Sequence, residues 1–328
     1  MARRRSIEAA LEALAELRRD WPGDERAIAE LRAALAGSRS LEAQAAARVV
    51  EAHGLLELEG DLCDAFARFL AGASPDKGCL AKTAIARALH EIDARADDVF
   101  LAGIRHRQLE PVFGGKADVA AELRGVCAFG LARSGHGDTL DRLAELLADP
   151  EAEARAQAAR AIPRAGMLAG GALLRLRIAI GDDVAVMGEC FAALLALDPR
   201  GGRETVGGFL EAAGAGATGE LAEAAALAIG ESRVPGALEL LRGWLERAID
   251  AEERRVALVA ISLLRSDEAI DHLMEIVREG RVATAAQAIA ALEVFRTDAA
   301  LRERLGEAVR ARASQALAAK LEECFGTD

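Results

Sequence analysis

The sequence is poor in aromatic residues: it has no tyrosine, two tryptophans and nine phenylalanines, or 3% aromatics in 328 residues. β-sheets favour aromatic and β-branched residues, whereas Ala, Leu, Glu and Arg, which dominate this chain, are strong helix formers. An apolar content of 52% with 29% charged residues is typical of folded proteins and excludes a disordered chain. The composition therefore predicts an all-helical protein.

Long apolar segments and closely spaced cysteines are also missing. No run of about 18 uncharged apolar residues occurs, which argues against a transmembrane helix. The start, MARRRSIEAALEALAEL, carries glutamates where a signal peptide would be apolar. The five cysteines form no CxxC pair and are typical of buried thiols in a reducing compartment. We therefore expect a cytoplasmic protein that does not enter the membrane.

A repeat of 31 to 34 residues runs through much of the chain. An aliphatic residue closes an Ala-rich segment at Leu131, Ile162, Leu195, Ile229, Ile261 and Leu292, and Leu89 and Val50 extend the series at longer steps. A second stretch with apolar residues at i, i+3, i+4 and i+7 follows each segment, such as TLDRLAELL at 139–147. This period fits two helices of about a dozen residues each, joined by turns.

The clearest single unit is DPEAEARAQAARAIPRAG at 149–166. Asp149-Pro150 suits a helix start, and the pair Ala158 and Ala159 allows neighbouring helices to approach closely. Together with Arg155 and Ile162, this unit resembles the short HEAT repeats of bacterial proteins and phycobilisome lyases. The resemblance implies an all-α fold, a right-handed α-solenoid of about eight or nine helical hairpins. We expect residues 1–39 to form an N-terminal capping helix pair and 40–328 the repeat array.

An inserted loop at about 103–117 interrupts this array, with the sequence RHRQLEPVFGGKAD at 105–118. Pro111 favours an extended conformation at Glu110, Gly114 permits a sharp turn, and Asp118 is a candidate N-cap for the next helix. In one interpretation the segment is a structural turn and Phe113 packs into a groove. In the other it recognises a partner peptide or an anion, the anion being held by Lys116 and the backbone N–H groups at the next helix start.

The candidate partner-binding residues come from this insertion and from the helices that follow it. In the insertion they are charged or apolar: Arg105, Arg107, Glu110, Phe113 and Lys116. Farther along the chain, Arg175 and Arg177 in LLRLRIAI suit carboxylate or phosphate groups of a partner. Glu189 is the third candidate on these helices. All eight are expected to contact a protein partner.

Catalytic patterns are weak. Ser134, His136 and Asp138 lie in one short segment, where triad members cannot converge, and no GxSxG motif occurs. Deoxyhypusine hydroxylase, a HEAT-repeat enzyme, builds its di-iron site from several His-Glu dyads, whereas only His90-Glu91 is present here. No HExxH motif occurs either. We therefore expect no metal, no cofactor and no enzymatic activity.

The function predicted from sequence is a non-enzymatic scaffold that offers a curved helical surface to a partner protein. Two alternatives stay open: a nucleic-acid-binding or repair-type HEAT-like protein, and a HEAT-scaffold enzyme such as a lyase. The net charge of −12 disfavours nucleic acid, because that binding depends on cations that neutralise phosphates.

Overall fold

The computed structural model describes residues 2–72, 74–212 and 217–326, which form nineteen α-helices and one two-stranded antiparallel sheet. Short 3-10 turns occur at Leu56–Leu58, Lys77–Cys79 and Leu292–Phe295. The helices are α1 Ala2–Arg19, α2 Glu25–Ala36, α3 Ser40–His53, α4 Glu59–Leu70, α5 Leu80–Glu91, α6 Asp97–Gly103, α7 Ala121–Ser134, α8 Thr139–Leu147, α9 Ala152–Arg164, α10 Gly170–Ile180, α11 Val184–Leu197, α12 Pro199–Glu211, α13 Ala217–Ser232, α14 Ala237–Arg247, α15 Ala251–Leu263, α16 Asp267–Glu279, α17 Val282–Ala291, α18 Ala299–Ala311 and α19 Gln315–Phe325. The strands are β1 Leu109–Val112 and β2 Gly115–Asp118.

The first of two compact units spans Met1–Met167. Its odd-numbered helices, α1 to α9, pack each against the next odd-numbered helix, and each even-numbered helix packs on the odd-numbered helix that follows it. This alternation is the packing of stacked helical hairpins, in which each repeat contacts its neighbours. Both α1 and α2 pack on α3, and a separate cap at 1–39 stays a prediction.

The second unit spans Leu168–Asp328 and repeats this arrangement. Helices α11, α13, α15, α17 and α19 pack in succession, and α10, α12, α14, α16 and α18 each pack on the following odd-numbered helix. The predicted all-α solenoid class is therefore confirmed. The repeat anchors identified in the sequence are all buried, at 0–1% exposure, including Leu131, Ile162 and Leu195.

Small residues set the distance between successive odd-numbered helices. The alanine pairs predicted for this role, Ala158/Ala159 and Ala225/Ala226, are completely buried. Gly230 on α13 lies so close to α15 that an added Cβ would overlap the backbone carbonyl of Ala260. A backbone atom cannot move aside as a flexible side chain can, so this position accepts only glycine.

Replacing Gly230 with alanine is expected to lower the free energy of unfolding by about 1–3 kcal/mol, because α13 and α15 must separate. The matched control is Gly208→Ala on α12, where an added Cβ meets no atom within 4 Å. That change removes a helix-interior glycine and is expected to stabilise by about 0.5–1 kcal/mol. Urea unfolding of both variants is the measurement, and equal effects would contradict the close approach of the two helices.

Trp244 and most of the cysteines are buried, as the sequence predicts. Trp244 on α14 is buried in the hydrophobic core with 2% exposure, as its helical spacing predicts. The cysteines are free thiols, and four of them are buried: Cys79, Cys127, Cys190 and Cys324. Over the described ranges, no helix combines the length and apolar character that a membrane span requires.

Candidate functional site

The predicted loop is a β-hairpin between α6 and α7. Strands β1 and β2 pair from Leu109↔Asp118 to Val112↔Gly115, which leaves Phe113 and Gly114 as the two-residue turn. Gly114 has φ +87°, the left-handed value that a type II turn needs at its third residue. The extended conformation expected around Pro111 is thus part of a strand, and the all-helical prediction missed this one sheet.

The tip of the hairpin is apolar and lies in solvent. Phe113 is fully exposed, at 108% of its reference area, and Leu109 and Val112 are 62% and 50% exposed. The interpretation in which Phe113 packs into a groove is therefore wrong. Lys116 stands beside this tip, opposite Pro111 in the register, and is also exposed. It makes no ion pair with the part of the chain that the structure describes.

The base of the hairpin is fixed by Asp118. Its carboxylate accepts hydrogen bonds from the backbone N–H of Gln108 at 3.1 Å and of Ala120 at 3.0 Å, and from Arg124 Nη1 at 2.8 Å. Burial raises the pKa of the Asp118 carboxyl, but the two N–H donors and the guanidinium outweigh it and hold the pKa below its ordinary value. The hydrogen bonds around the Asp118 carboxyl therefore stabilise its charged form.

Arg124 on α7 links this base to the turn before α9. It is 1% exposed, and its Nε lies 2.9 Å and its Nη2 3.0 Å from the Asp149 carboxylate. Arg107 closes the cluster, with Nη2 3.1 Å from Asp149 and Nη1 3.6 Å from Asp118. Two arginines and two aspartates thus balance each other, as buried charges require.

A second buried ion pair joins the segment before α5 to the first turn of that helix. Lys82 Nζ is 3.1 Å from Asp76 Oδ2, and both side chains are at most 3% exposed. The Asp76 carboxylate also accepts the N–H groups of Ala81 and Lys82 at 2.9 and 3.1 Å. This segment is tied to the hairpin, because Gln108 Nε2 donates to the Asp76 carbonyl at 2.7 Å.

Glu110 joins the hairpin to the same segment. Its Oε1 accepts the N–H of Gly78 and the amide of Gln108, each at 2.7 Å. The Gly78 N–H and then the Gln108 amide hold the pKa of Glu110 below its ordinary value. Of the residues predicted to bind a partner, Glu110 and Arg107 therefore hold the hairpin in place. We define the anchor as the charged groups that fix this base: Asp76, Lys82, Arg107, Glu110, Asp118, Arg124 and Asp149.

Two predicted helix starts are corrected by this anchor. Helix α7 begins at Ala121 with Ala120 before it, so Asp118 is not its N-cap. Helix α9 begins at Ala152, and Asp149 instead accepts the N–H of Glu151 at 2.9 Å in the preceding turn. Both carboxylates are turned toward Arg124. The predicted anion site at the start of α7 is filled by the chain's own Asp118, which accepts the Ala120 N–H.

The remaining predicted residues contact neighbours within their own units. Arg105 is exposed, with its Nε 3.6 Å from Glu145 Oε2. In the second unit, Arg175 pairs with Asp198 at 2.6 Å, and the Arg175 guanidinium lowers the pKa of that carboxyl. Arg177 lies 3.1 Å from Asp182 and donates to the Gly181 carbonyl. Glu189 is half-buried on α11. The two arginines thus form ion pairs with aspartates of their own unit.

A groove of about 350 Å³ runs over α5, α7 and α9 in the first unit. Arg87 of α5 bonds Glu122 near the start of α7, and His90 at the end of α5 lies 6.3 Å from the Phe129 ring. These two contacts show that α5 and α7 run in the same direction. The lining side chains are Arg87, His90, Glu91, Glu122, Val126, Phe129, Glu153, Gln157 and Arg164. Among these residues, only His90 and Glu91 stood out in the sequence as a candidate dyad.

The groove combines an aromatic surface with groups that can bind a proton or a charge. The Arg164 guanidinium lies 4.6 Å from the centroid of the Phe129 ring. His90 has a buried Nδ1 with no hydrogen-bond partner in the described ranges. Burial, followed by the nearby Arg133 charge, lowers the pKa of His90, so its ring is neutral near pH 7.

The segment SGHGD forms the turn between α7 and α8. The Ser134 hydroxyl donates to the Leu131 carbonyl at 3.3 Å, and the Asp138 N–H donates to His136 Nδ1 at 3.1 Å. These three side chains serve the turn and do not form a relay. Nor do the described residues bring three His, Cys, Asp or Glu side chains into a group that could hold a metal ion.

No family model and no curated protein matches the chain. Among solved structures, the complex of CpcE and CpcF of phycocyanin lyase from Nostoc sp. PCC7120 is similar, with 18% identity, a TM-score of 0.38 and coverage of 74% of this chain and 92% of that one. Human deoxyhypusine hydroxylase in complex with glycerol is similar over 83% of this chain and 97% of its own, with 15% identity and a TM-score of 0.33.

The prediction that this chain is not an enzyme is contradicted by these comparisons, because both solved structures are of enzymes with helical repeats. Membership of this fold class therefore gives no ground for excluding catalysis, and the prediction is withdrawn. At this level of similarity, neither a reaction nor a set of site residues is transferred to this chain.

Proposed function

We propose that this chain binds a partner protein and that the hairpin of β1 and β2 is its recognition element. The observation that carries the proposal is the fully exposed Phe113 at the tip of a hairpin whose base is held by buried charges. An exposed aromatic ring loses apolar contact with water when a partner covers it, and aromatic residues commonly dominate the energy of protein interfaces. Leu109 and Val112 enlarge the apolar surface, and Lys116 adds a cation beside it.

The anchor supports this proposal because it holds the hairpin in one conformation before a partner binds. A free hairpin of two short strands is marginal in water, so other contacts must hold it. Here Asp118 and Glu110 accept bonds from α7 and from the segment before α5. A recognition element fixed in advance loses less conformational entropy when it binds.

We also propose that the repeats are HEAT repeats of the phycobilisome-lyase type and that the protein is bacterial. Its free thiols favour a reducing, cytoplasmic setting.

Phe113→Ala is expected to weaken capture of the partner by about tenfold or more, the effect of losing one aromatic hot spot. The assay compares tagged full-length variants in nuclease-treated lysate of the source organism, with captured proteins quantified by mass spectrometry. The matched control is Ile249→Ala, which removes a side chain 85% exposed outside the hairpin. Both variants are expected to keep the wild-type unfolding midpoint, because neither side chain is buried.

The same capture experiment separates the proposal from its alternatives. Proteins lost with Phe113→Ala and kept with Ile249→Ala support the hairpin as the recognition element. Equal capture by all three chains overturns it. Binding that is seen only when the nuclease is omitted from the lysate indicates nucleic acid as the ligand instead, the alternative that the net charge of −12 disfavours.

A second candidate function is a reaction on this scaffold, favoured by the groove over α5, α7 and α9. Its neutral His90 can accept a proton, and the unpartnered Nδ1 of that ring leaves one site for it. The test is mass spectrometry of the captured partner after incubation with wild type or His90→Gln. A mass change that requires His90 supports an enzyme, and an unchanged partner mass with both chains contradicts it.

A further inference from the structure

The groove over α5, α7 and α9 contains charged and polar groups that the fold itself does not use. Arg164 lies over the Phe129 ring, donates one hydrogen bond to the Arg160 carbonyl at 3.3 Å, and has no carboxylate partner in the described ranges. Glu153, near the start of the same helix, has no cation partner among those residues either. By contrast, Arg87 on the same groove is paired with Glu122. The two unpaired charges therefore lie at opposite ends of α9.

The middle of the groove is also prepared for polar contacts. Gln157 lines it between the two charges, and its amide makes no hydrogen bond to any residue that the structure describes. Its aliphatic part fixes its position, because it packs over Gly125 of α7 so closely that a Cβ there would lie 2.7 Å from Gln157 Cγ. An amide held in this way can donate to one backbone carbonyl and accept from one N–H.

The length of the groove matches a short stretch of extended chain. Glu153 and Arg164 are eleven residues apart on one helix, which corresponds to about 16 Å at 1.5 Å per residue. About five residues of an extended peptide span the same distance, at roughly 3.3 Å each. A ligand with carboxylates alone fits poorly, because three glutamates line the groove against two arginines.

We propose that this groove binds an extended segment of a protein, about five residues long, with an acidic side chain against Arg164 and a basic side chain toward Glu153. Phe129 and Val126 supply the apolar floor, and Gln157 bonds the backbone of the segment in the middle. The guanidinium of Arg164 lies over the Phe129 ring, where its N–H groups can donate to a carboxylate. This site is separate from the hairpin tip and does not rest on the function proposed for the hairpin.

The test is selection of peptides from a phage library of random heptapeptides displayed against the immobilised full-length chain. We expect enriched peptides to carry an acidic and a basic residue separated by three to five positions. Synthetic copies are expected to bind Arg164→Glu about tenfold more weakly than wild type, the loss of one charge-assisted contact. Selection repeated on Arg164→Glu is expected to replace the acidic residue of the motif with a basic one.

The matched control is Arg278→Glu, the same charge change at an exposed position of α16 outside the groove, which is expected to retain wild-type binding. Phe113→Ala is also expected to retain it, so a failure here is distinguishable from a failure of the hairpin proposal. Circular dichroism verifies that each variant is folded. No enrichment above the uncoated surface, or enriched peptides that bind Arg164→Glu as tightly as wild type, overturns the inference.

Discussion

Arg124→Met is expected to lower the free energy of unfolding by about 3–5 kcal/mol, because it leaves two buried carboxylates without the guanidinium that they share. Those carboxylates belong to Asp118 and Asp149, whose side chains are 3% exposed. Arg107 remains near both but is half-exposed and reaches Asp118 only at 3.6 Å. Urea unfolding followed by circular dichroism measures the change, and the hairpin base should loosen first.

The control is Arg304→Met, which breaks an exposed ion pair with Asp271 and is expected to cost at most about 0.5 kcal/mol. A pH series gives a second check. Since the pKa of Asp118 is lower in the folded chain than its ordinary value, the stability due to its charge is present above the ordinary pKa and lost as pH falls through the folded one. The deficit of Arg124→Met should therefore shrink in acid, and an undiminished deficit would contradict this account of the anchor.

Lys82→Met is expected to destabilise the chain by a similar amount, about 3–5 kcal/mol, because the Asp76 carboxylate is completely buried and loses its cation. The double variant Asp76→Asn/Lys82→Met removes both charges. The amide oxygen that replaces the carboxylate at position 76 still accepts the N–H of Ala81, so the double variant recovers part of the lost stability. A double-mutant cycle in urea is expected to give a coupling free energy of about 2 kcal/mol or more between the two residues. Additive effects would show that the pair is not a unit.

The helical repeats were predictable because their signal is local. Leu131, Ile162 and the other anchors recur at the repeat period, and the apolar spacing within each segment places them on one helix face. Buried alanine pairs follow from the same pattern. The helix starts at Asp118 and Asp149 were predicted wrongly for a nonlocal reason: both carboxylates face Arg124, which lies 6 and 25 residues away in sequence.

The anchor was not predictable from single positions. In the sequence, three of its members look like ordinary charged residues: Asp76, Lys82 and Arg124. Only the packed structure shows that they are buried. The sequence contains only a weak signal for the hairpin: Glu110 and Val112 flank a proline, which favours an extended conformation, and Gly114 follows shortly after. Its cations and glycines favoured a loop instead. The apolar residue that this segment exposes, Phe113, was identified, but its direction depends on strand register.

The most direct test of the hairpin as the recognition element is site-specific photocrosslinking in the source organism. A benzophenone amino acid replaces Phe113 in one chain and Ile249, which is also strongly exposed, in another. After irradiation, the account predicts a discrete adduct with one protein for the probe at position 113 and its absence for the probe at 249. The same adducts from both positions, or none from 113, would contradict the claim that this chain recognises a partner through its hairpin.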